Sequence, residues 1–213
     1  MKNVDDLIES AAKLDEHGLS KGEIADELNV SRETASWLVD RAKNPPTTEA
    51  ETETGTGGPH DIHVDWSAFG RDSKRLGYAG HAMADLVSGG REDIDLTVGI
   101  EKAGTPLATE VARDLDTDLA TYTPRKHQWE EGDMEGLGAT FSQNFAQIRG
   151  RECYLVDDTV TSGTTMGEAI DAVREEGGEP VGCVVLVDKR GVDEIDGVPV
   201  HSLLQVLRVG DGQ

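Results

Sequence analysis

The sequence predicts an α/β protein, a parallel-sheet domain preceded by a small all-α domain of helix-turn-helix type. Residues 61–213 alternate aliphatic, strand-like runs with helical patterns, the arrangement that a parallel sheet with crossover helices requires. Residues 1–43 carry only helical periodicity. Between them, residues 44–60 run through prolines, threonines, glutamates and glycines without one large apolar side chain, and read as a flexible linker.

The first domain is justified by its start and turn signals. Ser20-Lys21-Gly22-Glu23 is a capping box that opens a helix whose inner face is Ile24, Ala25 and Leu28. Asn29 stands where the turn needs a left-handed residue, a conformation asparagine tolerates. Val30 then packs inward, Ser31 caps a second helix, and Ala35, Leu38 and Val39 continue the core stripe. That stripe leaves Ser31, Arg32, Glu33, Thr34, Ser36 and Trp37 on the outer N-terminal half of the second helix, the part that enters the major groove in helix-turn-helix proteins. Arg32 suits a bidentate contact to guanine, and the hydroxyls suit phosphates or base edges. Arg41 and Lys43, near the helix end, suit phosphates.

In the second domain the patterns predict helices over 71–88 and 105–114 and strands over 96–100, 119–122, 139–148, 153–157, 181–188 and 198–203, with a polar stretch over 123–138. The most informative run is Tyr154-Leu155-Val156-Asp157-Asp158-Thr159-Val160-Thr161-Ser162-Gly163-Thr164-Thr165. A buried strand is expected to end in two carboxylates, followed by small hydroxyl residues, a glycine and a helix. Amides at that helix start can hold a phosphate, helped by the dipole and by the hydroxyls of Thr161, Ser162, Thr164 and Thr165. Asp157 and Asp158 can accept hydrogen bonds from ribose hydroxyls or bind Mg²⁺ together with the ligand. A second strand-loop-helix, Gly99 to Ala108, offers backbone amides in a glycine-containing turn and the ammonium of Lys102, which suit a diphosphate.

The net charge of −22 would ordinarily argue against DNA. The acidic excess is spread along the whole chain, however, and eight lysines stand against twelve arginines. Such a chain is adapted to high salt, where the Debye length falls to about 3 Å at 1 M and a distant acidic surface barely repels a polyanion. No apolar run approaches the roughly 18 residues of a membrane span, and the acidic, amphipathic N-terminus carries no secretion signal. Cys153 and Cys183 lie in apolar strand-like runs with no partner at metal-ligand spacing, as expected of reduced core residues in a cytoplasmic protein.

The run ending in Asp-Asp and Thr-x-Gly-Thr resembles the phosphoribosyl-pyrophosphate motif of the purine and pyrimidine phosphoribosyltransferases. The loop with Lys102 resembles the pyrophosphate loop of the orotate enzymes, as Gly197 to Leu204 resembles their C-terminal strand. The resemblance covers roughly residues 61–207 and implies a type I phosphoribosyltransferase fold, commonly a homodimer. Arg125 and Lys126 match the Arg-Lys pair of the family's mobile catalytic loop, and by resemblance would close over the ligand with Lys102. Trp129 and Glu131 stand where that loop carries a lysine and a histidine, so no catalytic residues are assigned.

With its helix-turn-helix, the whole arrangement resembles the haloarchaeal orotate-phosphoribosyltransferase-like transcriptional regulators associated with sugar catabolism. The expectation is a regulator of double-stranded promoter DNA that senses a phosphorylated sugar or phosphoribosyl pyrophosphate, without an obligatory cofactor and away from membranes. An active orotate or purine phosphoribosyltransferase with an N-terminal helical appendage is the alternative. A DNA-binding dimer with a vestigial pocket is a third reading.

Overall fold

A computed structural model describes residues 3–44, 61–89, 94–124 and 140–207. The chain divides into two compact units, Met1–Asp65 and Trp66–Gln213.

In the first unit, α1 (Val4–Glu16) starts on Asn3, which forms a capping box with Asp6. The second helix, α2 (Lys21–Glu27), starts on the expected box, with Ser20 Oγ accepting from Glu23 N and Glu23 Oε2 accepting from Ser20 N. Asn29 adopts a φ of 51°, and Ser31 caps α3 (Arg32–Lys43). Leu7 and Ala11 of α1 close over Ile24, Ala25, Leu28, Val30, Ala35, Leu38 and Val39 in one apolar core. The unit extends to Asp65, beyond the sequence boundary at residue 60, because 61–63 bond back to it. Asp61 Oδ2 accepts from Ser31 N, and His63 Nδ1 donates to the Leu28 carbonyl at 2.6 Å.

The second unit opens with a short α4 (Ser67–Gly70), which the sequence patterns do not predict, and α5 (Ser73–Asp85), the helix expected over 71–88. Asp72 sets its start by capping it, Oδ1 accepting from Arg75 N at 3.0 Å. There follow β1 (Leu96–Ile100), α6 (Gly104–Leu115), β2 (Asp118–Thr123), β3 (Thr140–Phe141), β4 (Glu152–Val160), α7 (Thr164–Glu175), β5 (Glu179–Asp188), β6 (Glu194–Ile195) and β7 (Val198–Gln205). The strand expected over 139–148 is only two residues long. A turn at 143–144 ends it, and Ala146 N then donates to the Leu119 carbonyl.

The sheet order is β3-β2-β1-β4-β5-β7-β6, parallel from β2 through β7 with an antiparallel strand at each edge. Leu96, Val98, Ile100, Leu155, Ile170, Val173 and Val185 belong to its main core. The thiols of Cys153 and Cys183 lie within that core, and burial pushes both up to about 12. Two glycines allow α6 to pack closely. A Cβ on Gly80 of α5 would lie 2.3 Å from Glu110 Cβ, and one on Gly99 of β1 would lie 2.8 Å from Ala108 Cβ. After β1 the chain moves to β2 on one side, then returns to place β4 on the other. The C-terminal ends of β1 and β4 therefore form the topological switch point, where open α/β sheets bind ligands.

Candidate functional site

Both sequence-selected loops lie at that switch point, because the strands that precede them are hydrogen-bonded neighbours. The first follows β4. This strand does not end at the carboxylates as expected. It continues through Val160, since Asp157, Thr159 and Val160 pair with Val185, Val187 and Asp188 of β5. The turn is thus only 161–163. Successive side chains of a strand point to opposite faces, so Asp157 and Asp158 diverge. Asp157 Oδ1 accepts from Asp158 N at 2.8 Å, while Asp158, 8% exposed, accepts at Oδ2 from Thr159 Oγ1 and from Trp66 Nε1, the latter at 2.8 Å.

Gly163 has a φ of 81° and stands as the N-cap of α7 without a side-chain cap. That conformation is one few side-chain-bearing residues adopt. Ser162 and Thr164 are exposed, their hydroxyls 3.0 Å apart, and Ser162 Oγ accepts from Thr164 N. Thr161 and Thr165 are half-buried beside them. The first-turn amides of a helix have no partner within it, so an anion placed here meets N–H donors and the positive end of the dipole.

Sequence reasoning missed Arg190. Its Nη1 lies 2.5 Å from the position a Gly163 Cβ would take, which sets a guanidinium over the turn. Asp188, buried at the end of β5, holds the arginine's backbone there by accepting from the N–H groups of Arg190, Gly191 and Val192. The signal was available in the order of strands. β5 pairs with β4, so the turn after one adjoins the turn after the other. A cleft of about 380 Å³ opens between them, lined by Ser162, Gly163, Thr164 and Arg190 and also by the carboxylates of Glu168, Glu194 and Asp196.

The second loop, 101–103, follows β1 and opens α6. Glu101 N donates to the Tyr122 carbonyl, and Glu101 Oε2 accepts from Thr123 Oγ1, both at 2.9 Å. The Glu101–Lys102 peptide is cis, and Lys102 is exposed. A Cβ on Gly104 would lie 2.6 Å from the Val156 carbonyl oxygen and 2.8 Å from Asp157 Cα, so this loop lies directly against β4. Arg125 and Lys126 fall outside the described residues, as do Trp129 and Glu131. Among the described residues, no three His, Cys, Asp or Glu side chains gather as a metal site.

On the helical unit, the expected DNA-facing residues separate into two groups. Arg32 and Glu33 are exposed at the start of α3, and Arg32 has no ion-pair partner among the described residues. Ser31 and Thr34 instead serve the helix. Ser31 Oγ accepts from Thr34 N, the two hydroxyls lie 2.8 Å apart, and Thr34 is buried. Ser36 is half-buried. Trp37 packs on the core with the Arg41 guanidinium 5.7 Å above its ring. Lys43 pairs with Asp15 at 2.7 Å, and its hydrogen bond holds the Asp15 carboxyl below the usual carboxylate range.

Comparison with known proteins follows the same division. A phosphoribosyl transferase domain matches residues 65–197. The protein called transcriptional regulator GfcR in Halorubrum lacusprofundi is 70% identical over 210 residues, covering 98% of each chain. The protein of that name in Methanosarcina mazei is 42% identical, covering 98% of this chain and 100% of its own. Among solved structures, orotate phosphoribosyltransferase from Aeropyrum pernix superposes with a TM-score of 0.57 at 21% identity, over 70% of this chain and 80% of that one. Adenine phosphoribosyltransferase from Rhodothermus marinus gives 0.52 at 24% identity, over 71% and 90%. At such identities these two likenesses concern the fold alone. Among the described residues, no helix is long and apolar enough to cross a membrane.

Proposed function

We propose a function from the family to which the chain belongs: it is a phosphoribosyl transferase domain protein of the archaeal transcriptional-regulator kind. It regulates transcription, the helical unit reads promoter DNA, and the α/β unit senses a phosphorylated ribose-like effector. The reading of the effector is carried by one observation, the guanidinium of Arg190 over a left-handed glycine at the start of α7. A cation over first-turn amides suits a phosphate rather than a neutral ligand. Lys102, at the neighbouring loop, suits a second phosphate of the same ligand, as phosphoribosyl pyrophosphate would present.

Asp157 and Asp158 point to opposite faces and so do not chelate one ion together. Mg²⁺ fits here only as a companion of the ligand, bound chiefly by its diphosphate oxygens with one carboxylate nearby, the usual manner for this ion. The genes controlled are those of central sugar catabolism, a reading that rests on resemblance to the haloarchaeal regulators. A homodimer would present two recognition helices to a two-fold-related operator. Arg32 and Glu33 are the side chains free to reach base edges, with Ser36 behind them. Arg41 contributes to phosphates by way of its perch on Trp37.

The test is immunoprecipitation of the tagged full chain at native salt. Discrete promoter peaks are expected. Arg32→Ala is expected to cut discrimination between sequences by about 1–3 kcal/mol, the value of a good bidentate base contact. Peaks that survive deletion of residues 1–43 would show that the helical unit is not the reader.

A further inference from the structure

The strongest unassigned feature is Trp66. Its indole N–H donates to Asp158 Oδ2 at 2.8 Å, across 92 residues of sequence. An indole N–H is donor only, and a bond from it to a carboxylate is charge-assisted. It occupies the carboxylate in the way a sugar hydroxyl would. The ring lies close against the end of α4, since a Cβ on Gly70 would lie 2.9 Å from Trp66 Cζ3.

The position of this residue in the chain matters as much as its contact. Trp66 is the first residue of the α/β unit. Three residues earlier, His63 donates to the Leu28 carbonyl in the helix-turn-helix turn, and Asp61 accepts from Ser31 N at the start of α3. The true connection between the two functional parts is the stretch from His63 to Trp66, which spans at most about 11 Å even when fully extended. A link that short passes on more of a displacement at one end than a seventeen-residue coil would.

We propose that Trp66 is an internal competitor for the hydroxyls of a ribosyl ligand at Asp158, and that its displacement is the signal passed along residues 66 to 61 to the DNA-reading helix. This rests on the reading of the α/β unit as a phosphoribosyl sensor. The indole N–H occupies Asp158 Oδ2. A polyhydroxylated ligand replaces that donor with its own, the indole leaves, and the ties of His63 and Asp61 to the turn before α3 and to its start are loosened. A phosphate without hydroxyls can occupy the Gly163 turn but leaves the indole bonded. The signal is thus specific to a sugar phosphate as against free phosphate.

The experiment uses the full chain in molar KCl and compares it with Trp66→Phe, which keeps an aromatic side chain but removes the N–H together with part of the ring that packs on Gly70. Calorimetry with phosphoribosyl pyrophosphate is expected to show about tenfold tighter binding to Trp66→Phe, because the competing donor is gone. A residue with a merely structural role would loosen the site, so unchanged or weaker binding overturns the proposal. Hydrogen exchange supplies a readout that needs no ligand. Unliganded Trp66→Phe and Asp158→Asn are each expected to exchange several-fold faster across residues 61–70, and their combination no faster than either alone. Inorganic phosphate is expected to leave exchange there unchanged in the natural chain, and phosphoribosyl pyrophosphate to accelerate it. If the natural chain and Trp66→Phe both fail to bind phosphoribosyl pyrophosphate, the sensor reading falls by itself. The exchange pattern then decides the strap: matched acceleration in the two variants sustains it, and exchange like that of the natural chain overturns it.

Discussion

The turn after β4 and the turn after β1 lie side by side at the C-terminal ends of two central strands, and each depends on a glycine, but the two glycines are needed for different reasons. Gly163 supplies a left-handed backbone, and what crowds it is the tip of a flexible side chain, Arg190. Gly104 has no unusual backbone, and what crowds it is the backbone of β4 itself, at Val156 and Asp157. One glycine shapes the turn proposed to hold a ligand. The other holds two strands' loops at a fixed separation. Substitutions at the two sites are therefore expected to separate binding from stability.

The largest effect is expected at Gly104. In Gly104→Ala the new methyl would lie 2.6 Å from a carbonyl oxygen and 2.8 Å from a Cα, and neither can move without moving β4. Helix α6 must lift, taking with it the contact that Gly99 makes with Ala108 and Thr105. A loss of about 2–3 kcal/mol is expected, in the range of overpacked cores. That lowers Tm by about 5–10 °C for a unit of this size, as measured by circular dichroism or calorimetry. A Tm within a degree of the natural chain's would show that the two loops are not braced through this contact.

Gly163→Ala is expected to do the reverse. Left-handed backbone costs an alanine only about 1–2 kcal/mol, and the guanidinium that it meets can swing aside. Ligand affinity, however, depends on that guanidinium and on the amides beneath it. Phosphoribosyl pyrophosphate binding is expected to weaken by about tenfold or more, and Arg190→Ala to reproduce the loss with an unchanged Tm. The range for one charge-assisted hydrogen bond is about 1.5–3 kcal/mol. Lys102→Ala, at an exposed position on the other loop, is expected to cost only a few-fold at molar salt. Equal losses for Arg190 and Lys102 would erase the distinction between the loops.

What the sequence made legible follows the range of the interactions involved. Ser20, Glu23, Asn29 and Ser31 act within four residues of themselves, and each does what its side chain predicts. The order strand, carboxylates, Thr-x-Gly-Thr, helix is also local, and the turn and the helix form where it places them. The reading failed where a partner lay far along the chain. The end of β4 is set by pairing with β5, which carries the strand three residues past the expected boundary at 157. Arg190 reaches Gly163 only because those strands are neighbours. Trp66 meets Asp158, and Asp61 meets Ser31, over separations that no periodicity reports. Thr34 was misplaced for a subtler reason. A helical wheel puts it outside, but its hydroxyl turns back to the capping Ser31 and the residue is buried.

The smallest effect can serve as a reporter for the others. Cys153, near the start of β4, and Cys183, midway along β5, lie in the core beneath the sheet's central strands, and burial pushes both thiols up to about 12. At pH 8 only about one molecule in ten thousand would carry a thiolate at either site, and a thiol reacts through that form. The sign of the linkage follows. The folded thiols hold their protons more tightly than the unfolded ones, so this contribution to stability is complete below about 9, the unfolded value, and is lost as pH climbs from there toward 12. Iodoacetamide at pH 8 is therefore expected to modify neither cysteine in the native chain except through transient opening of the sheet, at a rate that tracks the open population. Gly104→Ala should raise that rate by roughly thirty- to a hundredfold, following its loss of stability, and should raise it at Cys153, whose strand it disturbs. Gly163→Ala should raise it less, by the roughly five- to thirtyfold that about 1–2 kcal/mol of backbone strain implies, and Arg190→Ala not at all. Mass spectrometry of the alkylated peptides resolves the two sites. Rapid labelling of either cysteine in the natural chain would mean that the sheet opens without the loops, and that neither glycine governs its stability.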